Sequence, residues 1–135
     1  YAVGLNLWNG SIYDRLDTFY LIKKEDSNIE APYINLGETI KIEIMEKVPD
    51  TIELKDYILN EKGEIKYTAK EVKEIPIQII DGKGSFKLNP QEAAFLSSNS
   101  EDYKMAQTIR GFRLTCSWGD SYQCEYGFIL RTDAY

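Results

Sequence analysis

The sequence predicts an all-β fold, a two-sheet antiparallel sandwich with one short crossover helix, and three observations lead there. Apolar and polar residues alternate with period two in several segments, the mark of a strand with one buried face. Turn signals built from Asn, Asp and Gly recur at close spacing between those segments. A single stretch, near residues 90–97, carries the start signal of a helix.

Taken in chain order, Val3 to Trp8 and Asp17 to Lys23 read as strand-like, and the polar, acidic segment Lys24 to Pro32 reads as the longest exposed loop. Ile40, Ile42 and Ile44 alternate with Lys41 and Glu43. Ile52 and Leu54 repeat the pattern against Glu53 and Lys55, and Tyr57 and Leu59 then continue it in the opposite phase. A bulge near Asp56 accounts for that switch. Asn60 to Gly63 forms a tight connection into a short strand around Ile65 and Tyr67. Ile75, Ile77 and Ile79 run into Asp81-Gly82-Lys83-Gly84 and out through Phe86 and Leu88 as a second hairpin, with Pro76 placing it at a sheet edge.

The helix has Asn89 as its cap, Pro90 in the first position and Glu92 three residues after the cap. Ala93 to Leu96 give it an apolar face, and the polar run from Ser97 to Lys104 follows as a second loop. In the final hairpin Phe112, Leu114, Cys116 and Trp118 alternate with Arg113, Thr115 and Ser117; Cys124, Tyr126, Phe128 and Leu130 alternate with Glu125 and Arg131. With Gly119-Asp120-Ser121 as the loop, Cys116 faces Cys124, Leu114 faces Tyr126 and Phe112 faces Phe128, so every apolar partner lies on one face. Eight or nine short strands so arranged suggest the immunoglobulin-like kind of sandwich, with barrels of similar strand content as the alternative. Tyr20, Tyr126 and Phe128 are expected in its core.

Composition agrees with one folded domain over residues 1–135. Apolar residues make up 43% and charged residues 28%, ordinary for a globular chain. The net charge of −6 and the absence of any basic patch argue against nucleic acid as a partner. No apolar run reaches the 18 to 20 residues needed to span a bilayer. Tyr1 stands where a Met would open a complete chain, so a leader, an anchor or another domain is expected upstream.

The stretch Arg110-Gly111-Phe112-Arg113-Leu114-Thr115-Cys116-Ser117-Trp118-Gly119-Asp120, followed by Cys124-Glu125-Tyr126, resembles the ending of small β-rich modules in uncharacterised secreted proteins and lipoproteins of Gram-positive bacteria. The resemblance extends to Phe95 through Tyr103 and implies an exported, cell-surface or extracellular domain, with a lipid anchor upstream. It implies no catalytic residues.

Chemistry is sparsely supplied. The chain has no histidine, which removes the usual general base of nucleophilic triads and the commonest transition-metal ligand. Two cysteines cannot build a four-ligand zinc site alone, and no glycine-rich phosphate loop occurs, so no cofactor is expected. A glycosidase needs only two carboxylates, and 22 acidic residues leave that class open.

Cys116 and Cys124 are expected to form a cross-strand disulfide in an exported protein, with two buried thiols as the alternative. Ser98 to Asp102 offer oxygens to calcium but match no defined calcium loop. Asn9-Gly10-Ser11 fits the N-glycosylation pattern and is read as a turn. Ten tyrosines suggest recognition. The first candidate ligand surface is the tip of the final hairpin, Trp118, Asp120 and Tyr122, with Trp118 also suited to closing the core. The functional expectation is a non-catalytic surface module that binds a protein or glycan partner, or forms one structural part of a larger exported protein. The alternative is a glycan hydrolase using two carboxylates.

Overall fold

The computed structural model describes residues 3–8, 19–20, 31–44, 49–67, 72–119 and 122–135, and for 3–8 and 122–124 the backbone alone. It is mostly β, with two antiparallel sheets and no helix of seven or more residues among the described residues. Seven strands are described: β1 (Val3–Trp8), β2 (Thr39–Glu43), β3 (Thr51–Leu59), β4 (Lys73–Ile75), β5 (Lys83–Lys87), β6 (Thr108–Trp118) and β7 (Tyr122–Thr132). Five of them form one sheet in the order β1-β7-β6-β3-β4, and β2 and β5 pair as a second sheet.

The β6–β7 hairpin has the register the alternation predicts, with Cys116 opposite Cys124, Leu114 opposite Tyr126 and Phe112 opposite Phe128. On the other side of β6, Ile52, Leu54 and Asp56 of β3 stand opposite Cys116, Leu114 and Phe112. Opposed residues share a face, so these side chains form one layer. Phe86 and Leu88, from β5 and the residue after it, join that layer, and Ile40 and Ile42 of β2 pack against it. Phe112 lies at its centre, stacked on Phe128 with centroids 5.0 Å apart and tilted against Phe86 at 5.3 Å.

The opposite face of the large sheet is buried as well, which the sequence does not predict. Phe19 packs on Tyr57, Leu59, Ile109 and Ile129, the odd-numbered residues of β3, β6 and β7. Gly111 lies beneath it: a β-carbon there would stand 2.7 Å from the Phe19 ring and 2.8 Å from the Leu59 side chain. Burial on both faces explains the phase change in β3. The ladder from Thr51↔Ser117 to Leu59↔Ile109 is unbroken, so the bulge expected near Asp56 is absent. Ile52 and Leu54 fill one face, Tyr57 and Leu59 the other. Arg113, Thr115, Ser117 and Glu125, expected toward solvent, are buried for the same reason.

Other expectations are corrected locally. Phe19 and Tyr20, the described part of the Asp17–Lys23 segment, have helical backbone, and Tyr20 is exposed rather than in the core. The strand expected around Ile65 shrinks to a single bridge, Leu59↔Ile65. The Asp81-Gly82 turn forms as expected, both residues having positive φ (53° and 78°) and Ile80 and Lys83 exchanging hydrogen bonds of 2.9 and 3.0 Å. It does not join two strands of one sheet, however. β4 ends at Ile75, before Pro76, as the edge of the large sheet, and β5 pairs with β2.

The crossover helix lies where expected but is a 3-10 helix, Glu92–Leu96, capped two residues later than predicted. The Gln91 side chain, not Asn89, accepts from the Ala93 amide at 2.7 Å. A second 3-10 turn, Ser100–Tyr103, sits inside the expected polar loop. Asn89 has another use: its carbonyl accepts from Arg110 at 2.7 Å. Arg110 is ion-paired with Asp56, both nearly inaccessible, in the layer that faces the small sheet. Burial pushes the Asp56 carboxyl above the ordinary carboxylate range, with Arg110 pulling against it.

Candidate functional site

The five-stranded sheet has two ends, and they differ. At the hairpin end, Trp118 is partly buried and packs against the main core, as its place in the inward row of β6 requires. Gly119 has φ of +63°, and its amide donates to Asp50 Oδ2 at 2.7 Å, tying the turn to the start of β3. Asp120 and the Tyr122 side chain lie outside the described residues, as does the Asn9-Gly10-Ser11 motif. Cys116 is fully buried with Cys124 directly opposite in register; the Cys124 side chain is also outside the described set.

At the other end, a cavity of about 140 Å³ opens between the end of β3, the start of β6 and the two 3-10 turns. Ile58, Leu59, Ala94 and Ile109 form part of its lining; Asn60, Glu61, Lys66, Tyr67, Ser97 and Asp102 bring polar groups to it. These groups are fixed by the fold. Asn60 Oδ1 accepts the amides of Lys62 at 2.9 Å and Glu64 at 3.0 Å, closing the tight loop in which Gly63 takes a φ of 84°. That loop turns the chain back so that Lys66 reaches Asp102, 36 residues away, at 2.9 Å. Ser97 Oγ donates to the same Asp102 oxygen at 2.5 Å, and the Tyr103 hydroxyl donates to the Ser97 carbonyl at 2.7 Å. Glu61 pairs with Arg131 at 3.0 Å.

The electrostatics follow from these partners. The Ser97 hydroxyl, and after it Lys66, hold the Asp102 carboxyl below its ordinary range. Partial burial opposes the Lys66 charge, but the Asp102 hydrogen bond, aided by Tyr67, outweighs it and the ammonium is favoured beyond its usual range. A carboxylate stabilised as the anion is a weak base, and an ammonium stabilised as the cation is a weak nucleophile. Neither group is poised to activate Ser97. The arrangement is suited to presenting fixed donors and acceptors to a ligand.

The sequence marks one wall of this end, the polar run from Ser97 to Lys104, but not its partner across the cavity. Of the calcium-like oxygens at Ser98 to Asp102, the Asp102 carboxylate is engaged by Lys66 and Ser97, and no group of three or more His, Cys, Asp or Glu side chains that could hold a metal ion occurs among the described residues. The partner Lys66 lies in a hairpin return whose tertiary position no local pattern reveals. No helix among the described residues is long and apolar enough to cross a membrane. No family model, curated protein or solved structure matches the chain.

Proposed function

We propose that this chain is a non-catalytic, extracytoplasmic or cell-surface module that binds a protein or glycan partner or forms one structural part of a larger exported protein. The observation that carries the binding reading is the cavity at the β3–β6 end, where Lys66 and Asp102 are locked in charge states that favour recognition over acid–base work. The immunoglobulin-like arrangement is part of the proposal, supported by two antiparallel sheets sharing one apolar layer. The exported setting and upstream lipid anchor rest on the resemblance of Arg110 to Tyr126 to Gram-positive surface modules. A Cys116–Cys124 disulfide belongs to the same reading, supported by the direct opposition of the two residues.

The second reading is a glycan hydrolase, favoured by the presence of two carboxylates, Glu61 and Asp102, in the cavity wall. A glycosidase needs one of its pair protonated as the acid. Asp102 is shifted the wrong way for that role, and the Glu61 side chain is largely exposed beside Arg131. Incubating the protein with glycan substrates and measuring new reducing ends separates the readings: the module yields none, and turnover abolished by Asp102→Asn would establish the hydrolase. Intact-mass analysis after alkylation without reductant tests the export reading, with no labelled thiol expected.

A further inference from the structure

We infer that the cavity beside Lys66 and Asp102 takes the edge of a single neutral sugar ring of a longer glycan, whose neighbouring rings lie over the exposed side chains of Phe95 and Tyr135 and the partly buried Tyr103 between the cavity and Tyr135. This rests on the binding reading above and names its ligand class.

Three observations carry it. The first is charge balance. The charged residues lining the cavity are Lys66, Asp102 and Glu61, and each already has an opposite partner: Lys66 with Asp102, and Glu61 with Arg131. A charged ligand would have to compete with an existing pair, whereas a hydroxyl can share it, donating to a carboxylate or accepting from the ammonium. The second is size. A volume of 140 Å³ equals roughly four or five waters at about 30 Å³ each, well under the hundreds of ångströms cubed of a drug-sized pocket. That is less than a whole hexose, so the open recess admits the hydroxyl-bearing edge of one ring.

The third is the surface next to it. Ala94, Ser97 and Asp102 of the cavity wall are chain neighbours of Phe95, Leu96 and Tyr103. Phe95 and Leu96 are about half exposed and Tyr135 is 74% exposed. The Tyr135 ring stands 6.1 Å from Phe95 and 6.3 Å from Tyr103, centroid to centroid. Aromatic side chains give contact area at small entropic cost. Pyranose rings present hydroxyls at the edge and apolar C–H faces, so a polar recess continued by aromatic rings matches both parts of one ligand.

The test is amide chemical-shift mapping of the 135-residue protein with a panel of neutral oligosaccharides, namely gluco-, manno-, xylo- and N-acetylhexosamine oligomers. At least one is expected to shift Lys66, Tyr67, Ser97 and Asp102, with longer oligomers also shifting Phe95 and Tyr135. Asp102→Asn and Tyr67→Ala should each weaken that binding about tenfold or more, with melting curves showing the variants folded, and the remote Lys41→Ala should leave it unchanged. No shift at the cavity from any member overturns the inference. So does preferential binding there of an acidic oligosaccharide or a charged peptide, although the module reading then survives. Shifts confined to Trp118–Tyr122 also defeat the cavity while leaving a binding module. Cleavage of a bound neutral glycan would do the reverse, upholding the ligand class and ending the non-catalytic reading.

Discussion

On the face turned toward β2 and β5, the five-stranded sheet meets a continuous apolar layer centred on Phe112, interrupted among the described residues by the ion pair Asp56–Arg110. On the opposite face, apolar cover is concentrated where Phe19 sits over Gly111, and the rows beyond it carry charge: Arg113 with Glu125 at 2.5 Å, and Lys55 with Glu53 at 2.9 Å. One face is closed by another sheet; on the other, the described residues supply Phe19 with its apolar neighbours and paired charges. The contrast teaches that hydrophobic alternation does not mark all of a buried face: beside the apolar Tyr57 and Leu59 the second face also buries Arg113 and Glu125, which are tolerated there because they are paired.

The comparison can be broken first at Phe112. Truncation to Ala in the centre of the apolar layer should cost about 3 to 5 kcal/mol, measured by denaturant unfolding, near the upper range for a buried aromatic. An effect below that of Phe19→Ala would show that the second face carries the greater apolar load.

The ion pair gives the next largest effect. Asp56→Ala leaves Arg110 buried without its carboxylate and should cost about 3 kcal/mol, because an uncompensated buried charge outweighs the lost attraction. Replacing both residues, Asp56→Leu with Arg110→Met, should recover most of that loss. If the double variant is as unstable as the single one, the pair is not an isolated polar insertion in an apolar face.

Gly111→Ala sharpens the description of the other face. Its new methyl group meets the Phe19 ring and the Leu59 side chain, so one of them must move, and a loss of about 1 to 3 kcal/mol is expected. Phe19→Leu in the same chain should relieve part of it. At the cavity end the effect is one of titration. Because Asp102 has a depressed pKa in the folded state, its contribution to stability is present above the unfolded value and is lost as pH falls through the folded one. Ser97→Ala should move the Asp102 carboxyl titration upward by NMR; an unchanged midpoint would assign the depression to Lys66 alone. Smallest of all, Ala106, with φ of 62°, should accept Gly with a change within about 1 kcal/mol, toward greater stability.

The same contrast explains what was legible in the sequence. The β6–β7 register could be read directly because Phe112, Leu114 and Cys116 face a sheet and their opposite numbers do the same, so a slip of one residue would turn one strand's apolar row away from that sheet. The Asp81-Gly82 turn was legible because its positive φ values are a local property. The sheet to which β5 belongs was not: Ile75 of β4 and Phe86 of β5 pack on the same core from different sheets, and alternation is blind to which sheet supplies a residue. The burial of Arg113 and Glu125 was hidden for a related reason, since their charges read as solvated until the pairing is seen. The candidate site suffered most. Lys66 and Asp102 meet only after the Asn60–Gly63 loop and the 3-10 turns have brought two distant segments to one end of the sheet, and neither residue stands out from its neighbours in the chain.

The pairing of β1 with β7 bears on the order of assembly. Val3 pairs with Gly127 and Trp8 with Tyr122, so nearly the whole described chain lies between the two strands. During synthesis β1 emerges long before its partner exists, whereas β6 and β7 need only a short loop to meet. The closing entropy of so distant a contact is recovered late, after the nearer pairings have formed. Until β1 docks, β7 is an outer strand with a row of unpaired amides and carbonyls, a template for another chain's strand. The docking of β1 is therefore as much a safeguard against intermolecular strand exchange as a contribution to stability, and a variant that weakens it should show its defect first as association at high concentration.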